Sequence, residues 1–209
     1  MKERRVPADP RLLDALAARL DPVGAPIEEP GSLRFAAVLG ALLPAIDPAH
    51  GPRLLLIERA VGLRKHAGQL ALPGGKPELH DLDLLDTALR EAEEEVGLDR
   101  RAVEVLGRLA PVPTPTGFMI VPYVAQVRGA FEARPERGEV SAVLTPSLLE
   151  LSDPGRYRFG GRHAWMGREY ELHEFLIHKP PLWGATARIV YDLLSRLEIA
   201  PRSRAEEDA

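Results

Sequence analysis

The sequence predicts a single mixed domain of helices and strands, in the α/β (α+β) class. Short apolar runs bounded by Pro and Gly have the length of buried strands, while longer segments repeat their apolar residues at helical spacing. The 209 residues also hold no internal repeat and no convincing domain boundary. A chain of this length suits one domain with extensions.

Asp9-Pro10 followed by Leu12, Leu13, Leu16 and Leu20 reads as a capped amphipathic helix. A Pro- and Gly-rich link from Asp21 to Gly31 follows, so residues 1–30 form an N-terminal helix and linker. Phe35 to Leu43 and Arg53 to Ile57 are apolar runs expected as buried strands. Val61 to Lys76 is rich in loop signals, with only Leu70 to Leu72 apolar. Leu84 to Val96 is a strong helix closed by Gly97 in the favoured C′ position. Val103 to Val112, Phe118 to Val127 and Tyr170 to His178 are expected as further strands. Trp183 to Leu197 reads as a helix with Trp183, Ala187, Val190, Leu194 and Leu197 on one stripe. Residues 31–200 are thus the domain, and residues 201–209 a polar tail.

Composition removes several function classes. The absence of cysteine excludes disulfides, thiol nucleophiles and thiolate-held zinc or iron–sulfur sites, and fits a cytoplasmic location. No apolar run approaches the ~18–20 residues that span a bilayer, so no membrane partner is expected. A net charge of −4 argues against nucleic acid as a partner, since sequence-blind binding needs a basic footprint. A small anionic substrate stays open, because local arginines or a bound metal reverse the local field. Gly74-Gly75-Lys76 lacks the earlier Gly and the Ser/Thr of a P-loop. His173-Glu174 with His178 has the wrong spacing for a zinc-protease helix, and no Gly-any-Ser-any-Gly elbow exists.

The most informative segment is Arg90-Glu91-Ala92-Glu93-Glu94-Glu95-Val96-Gly97. At about 100° per residue, Leu85, Ala88, Leu89, Ala92 and Val96 share one arc, the core face. Glu91, Glu94 and Glu95 gather on the neighbouring arc, and Glu93 falls on the opposite flank. Acidic residues in a last turn oppose the helix dipole at roughly 0.3–1 kcal/mol each. A hard divalent cation removes that penalty, because it favours carboxylate oxygens. The competing reading is a solvated acidic face. Glu95 borders the apolar arc, and Leu72-Pro73-Gly74-Gly75-Lys76 just upstream is a turn that allows close backbone approach.

These residues resemble the Nudix box of pyrophosphate hydrolases. Arg90 to Leu98 fills the second half of the box, Arg-Glu-apolar-any-Glu-Glu-any-Gly-apolar, completely. In the first half Gly75 lies one residue further from Arg90 than the common spacing, and Leu82 stands at the first Glu, with Asp81 or Asp83 as its substitute. The upstream pattern Leu55-Leu56, Arg59-Ala60, Arg64, Gly68 and Leu72-Pro73-Gly74-Gly75 resembles the coenzyme A pyrophosphatase subgroup. The segment Leu182-Trp183-Gly184-Ala185-Thr186-Ala187 is similar to that subgroup's late helix.

The resemblance implies a Nudix-type α/β/α sandwich with a central mixed β-sheet and a loop–helix–loop catalytic motif. It also implies hydrolysis of coenzyme A, a small-molecule substrate, to adenosine 3′,5′-bisphosphate and 4′-phosphopantetheine with Mg2+ or Mn2+, by a monomer or homodimer. Other nucleoside diphosphate derivatives, or a non-catalytic nucleotide-binding regulator, are the competing functions. Glu91 and Glu95, one turn apart, are the first-choice metal ligands, with Glu94 as a third ligand or general base. As the family suggests, Arg90 orients these carboxylates. Gly74 and Gly75 bring backbone close, to metal or substrate, or simply make a tight turn. Arg59, Arg64 and Lys65 are the substrate-binding candidates, because guanidinium forks suit phosphate; His66 lies beside them. Glu139 is a further acid that either swings in as a base or is an ordinary exposed side chain.

Overall fold

The structure, a computed structural model, describes residues 11–62, 66–165 and 168–202. In chain order these form α1 (Leu12–Ala17), β1 (Arg34–Leu43), β2 (Arg53–Leu54), β3 (Leu56–Arg59), β4 (Leu70–Ala71) and β5 (Gly74–Gly75). Then come α2 (Leu84–Val96), β6 (Val103–Arg108), β7 (Val112–Thr114), β8 (Phe118–Val127), β9 (Val140–Leu144) and α3 (Leu148–Leu151). The hairpin β10 (Tyr157–Trp165) and β11 (Arg168–Phe175) precedes α4 (Gly184–Arg196).

β1 is central because it has no solvent face. Its residues Ala37, Leu39, Ala41 and Leu43 enter one apolar cluster, while Val38 and Leu42 enter another. A strand covered on both sides reads as a continuous apolar run, as Phe35 to Leu43 does. β8 lies parallel to β1, in register from Arg34↔Phe118 to Leu42↔Gln126. Its residues divide in the same way: Val121, Tyr123 and Ala125 on one side, Ile120 and Val124 on the other. β2 and β5 pair antiparallel with β1, and β6 and β7 with β8. The sheet is therefore mixed. β4, β3 and β9 form a separate three-stranded sheet.

α2 covers one face through Ala88, Ala92 and Val96, and α4 the other through Ala187, Ile189, Val190, Leu193 and Leu194. This is the expected sandwich of mixed sheet between helices. α1 adds Leu16, fully buried, to the α4 side, and Leu20 follows it there. The link after α1 is stitched to β6, because Asp21 and Arg108 exchange backbone hydrogen bonds of 3.0 and 2.9 Å. No helix among the described residues is long and apolar enough to cross a membrane.

α2 and β8 run over the expected spans, but other elements differ. The run Arg53 to Ile57 splits at Leu55, whose N–H donates to Ala41, and β3 continues into the other sheet. An all-leucine stretch carries no mark of that change, since every position is buried whichever sheet it joins. Val103 to Val112 divides into β6 and β7, with a register shift at Gly107 (φ 155°) and Pro111 between the strands. β9 and β10 were not expected; β10 has no apolar run because its hairpin is largely exposed. β11 ends at Phe175 rather than His178. Trp183 is not on the buried stripe of α4: it is the N-cap and 48% exposed. The Asp9-Pro10 cap and residues 203–209 of the tail lie outside the described residues.

Because Leu16 is fully enclosed, Leu16→Ala leaves a cavity, and the expected cost is about 2–5 kcal/mol. Chemical denaturation of the two proteins checks it; a loss below 1 kcal/mol, less than ordinary for a buried leucine, would contradict the packing.

Candidate active site

α2 carries the site, and its ends are well defined. Asp83 caps the first turn by accepting the Asp86 N–H at 2.8 Å. Gly97 stops the helix in the left-handed region at φ 70°, and its N–H donates to the Glu93 carbonyl. The last two carbonyls of the helix are also satisfied: Arg134 N–H donates to Val96 and Glu136 N–H to Glu95, both at 2.9 Å. These two bonds dock the segment that leads to Glu139 against the acidic end of the helix.

Arg90 is the hub. It is 7% exposed, and its guanidinium grips Asp81 through Nε at 2.8 Å and Nη2 at 3.0 Å. Nη1 lies 2.9 Å from Glu94 and 3.1 Å from Glu91, while Nη2 also donates to the Lys76 carbonyl at 3.2 Å. Asp81 accepts two more bonds, from Thr87 Oγ1 and the Glu78 N–H. The Arg90 bond holds its carboxyl well below the usual carboxylate range, against the opposing effect of burial. The two candidates for the missing first acid thus separate: Asp83 caps the helix and Asp81 anchors Arg90, while Leu82 is exposed.

Glu95 turns inward and is 2% exposed. Oε2 accepts the Gly74 N–H at 3.0 Å, and Oε1 lies 3.9 Å from Arg59 Nη1. Burial pushes its carboxyl up to about 7; the Gly74 bond and Arg59 oppose the rise, and Glu91 and Glu139 add to it. Burial also raises Glu91, with Arg90 opposing. Glu94 is placed differently: its side chain is 61% exposed and rests on Arg90. Among the described residues no three His, Asp or Glu side chains converge as a metal-holding group.

Gly74 is required by backbone, and the bare Cα of Gly75 makes room for Glu91. A Cβ on Gly75 would lie 2.2 Å from Glu91 Oε1, and one on Gly74, at φ 154°, would lie 2.3 Å from the Ala37 carbonyl. Arg59 stands on this site through Glu95. Arg64 and Lys65 lie outside the described residues. His66 Nδ1 pairs with Gln69 Oε1 at 2.8 Å. Glu139, weighed as a swinging base or an ordinary exposed side chain, is exposed, yet its charge acts on both Glu91 and Glu95. Its place follows from the pairing of Arg59 with Val140, a contact invisible to local pattern. His173 belongs elsewhere, buried against Tyr191 and bonded through Nδ1 to Tyr157 Oη at 2.8 Å.

A mixed sheet held between helices, with a Gly-Gly strand facing Glu91 and Glu95 on the following helix, defines the class as a Nudix domain. Residues 38–163 match the family model described as the NUDIX domain, and the chain belongs to the Nudix hydrolase family. It is 41% identical over 174 residues to NudL of Salmonella paratyphi B, described as an uncharacterized Nudix hydrolase; the match covers 80% of this chain and 85% of that one. NudL of Salmonella newport matches to the same extent. In fold the chain is similar to a MutT/nudix family protein from Enterococcus faecalis, with a TM-score of 0.52 and 19% identity over 83% of this chain and 64% of that one.

Nudix hydrolases generally need divalent metal ions. The donor set here fits one. Glu91 and Glu95 offer hard carboxylate oxygens beside the Gly74–Gly75 backbone, and burial disfavours the charge of both until a cation offsets it.

Two outcomes follow from these contacts. Asp81→Asn removes the anionic partner of a buried guanidinium and is expected to cost about 3 kcal/mol in denaturant unfolding. The second concerns Glu95, which the folded chain keeps protonated to about 7 and the unfolded chain releases near 4.5. With chelator present, the wild type therefore loses stability as pH rises across that window, and Glu95→Gln loses less. Melting temperatures of both proteins at about pH 5 and pH 8 check the sign; equal slopes would refute it.

Proposed function

We propose that the protein hydrolyses the pyrophosphate of coenzyme A or its derivatives to adenosine 3′,5′-bisphosphate and 4′-phosphopantetheine, using Mg2+ or Mn2+. The observation that carries this reading is the meeting of two sequence signatures on one carboxylate. Arg59 and Gly74 come from the upstream signature, and both contact Glu95 of the helix signature. These two contacts on the buried Glu95 support the reading.

In this reading Glu91 and Glu95 hold the cation together with backbone at Gly75. Once bound, the metal neutralises pyrophosphate oxygens and makes water more acidic. Water adds to one phosphorus, the bridging P–O bond breaks, and each product leaves as a phosphate monoester. Glu94, the exposed member of the trio, takes the proton. Arg90 keeps Glu91 and Glu94 in place through Nη1 while Asp81 fixes its other edge. Arg59, Arg64 and Lys65 supply positive charge to the substrate's phosphates, and Gly74 lets it approach the backbone. The enzyme works in the cytoplasm as a monomer or homodimer.

Incubation with coenzyme A and Mg2+, with and without chelator, tests the reading by chromatography of the products. Metal-dependent appearance of adenosine 3′,5′-bisphosphate is expected, and Glu95→Gln lowers turnover by about 100-fold or more without unfolding the protein. Intact coenzyme A alongside cleavage of a dinucleotide or nucleotide sugar would move the substrate elsewhere. Tight nucleotide binding without turnover under any divalent metal would favour a regulator.

A further inference from the structure

The side chains of Arg34, Lys76 and Phe118 meet at one corner next to the Gly74–Gly75 strand, and none of these side chains has a part in the site described above. Arg34 Cζ lies 4.6 Å from the centre of the Phe118 ring and Lys76 Nζ 5.8 Å from it. Both distances suit a cation on the negative face of an aromatic ring. Among the described residues neither cation has a carboxylate partner within 4.0 Å, whereas Arg90, Arg100, Arg128 and Arg158 all do. Two cations gathered on one ring repel each other. A bound anion relieves that repulsion.

The corner is rigid before anything binds. Thr114 Oγ1 accepts the Phe118 N–H and donates to the Phe118 carbonyl, both at 3.1 Å. The Arg34 N–H donates to Gly117, in the same turn, at 3.0 Å. The Lys76 carbonyl accepts from Arg90 Nη2, which ties the third member to the hub of the catalytic helix. Lys76 also directly follows Gly75, whose Cβ position abuts Glu91. The corner therefore lies one residue along the chain from the strand that faces the glutamates.

The geometry points to Arg34, Lys76 and Phe118 as a second anion subsite, which selects pyrophosphate substrates that carry a further phosphoryl group. Arg59 faces Glu95 and serves the reacting end; Arg34 and Lys76 serve the remote phosphate. The guanidinium and ammonium take phosphoryl oxygens, and the ring holds the two cations at one corner. This inference rests on the coenzyme A reading, in which the remote group is the 3′-phosphate.

The test compares coenzyme A with its 3′-dephospho form for the wild type and for the double variant Arg34→Gln/Lys76→Gln. Both side chains are exposed, and a melting curve confirms that the variant is folded. The wild type is expected to favour the phosphorylated substrate in kcat/KM, and the variant to lose at least about tenfold of that preference, mainly through KM. A preference within about twofold of the wild type would overturn the subsite. Calorimetric binding of adenosine 3′,5′-bisphosphate and adenosine 5′-monophosphate gives a readout that needs no turnover. If coenzyme A is not cleaved but the double variant loses at least about tenfold of the bisphosphate preference, the subsite stands and the substrate reading falls. Equal affinities for the two nucleotides in the wild type would overturn the subsite whatever the enzyme cleaves.

Discussion

The guanidinium of Arg90 is almost out of water, and it cannot stay there without anions on more than one side. Asp81 takes two of its nitrogens, Glu91 and Glu94 share a third, and the Lys76 carbonyl accepts from one of those already on Asp81. Lys76 and Asp81 come from the loop before α2 and Glu91 and Glu94 from α2 itself, so satisfying one buried charge ties that loop to the helix. The loop between Lys76 and Asp81 is thereby closed onto α2, and Glu91 is held against Gly75. A lysine would not serve, because a point charge cannot hold a carboxylate by two parallel bonds while reaching others at the same time.

Glu95 presents the opposite problem, a buried anion with little compensation. Its partners are a backbone N–H and an arginine at 3.9 Å, and burial outweighs both. Burial disfavours the charge that metal binding needs and favours the protonated carboxyl. The stability of the sandwich comes from elsewhere. β1 and β8 bury apolar residues on both faces, against α2 on one side and α4 on the other, leaving α2 free to carry acids along its other edge.

Some of this was legible before any coordinates. The span of α2 followed from helical periodicity between Asp83 and Gly97, and β8 from an apolar run between Gly117 and Arg128. Other elements were not legible, for definite reasons. Arg53 to Ile57 changes sheet in mid-run, and leucines buried on every side give no sign of it. β10 is exposed and spells Tyr-Arg-Phe-Gly-Gly-Arg-His-Ala-Trp, which carries no strand period across its bulge. Trp183 fits a helical stripe by spacing, yet its N-cap position turns it out.

The sequence by itself determined which acids share a helix face, because 3.6 residues per turn brings Glu91, Glu94 and Glu95 together whatever surrounds them. It also determined that Gly74 and Gly75 precede that helix and that helices and strands are mixed in one domain, while the sheet between helices came from the family resemblance. Only the tertiary structure decided what each charge does. It sent Asp81 to Arg90 and Asp83 to the cap, turned Glu95 into the core and left Glu94 in solvent. It also brought Arg34, Lys76 and Phe118 to one corner. The physical reason is that charge, burial and hydrogen bonding are set by neighbours far away in the chain, which the local pattern does not record.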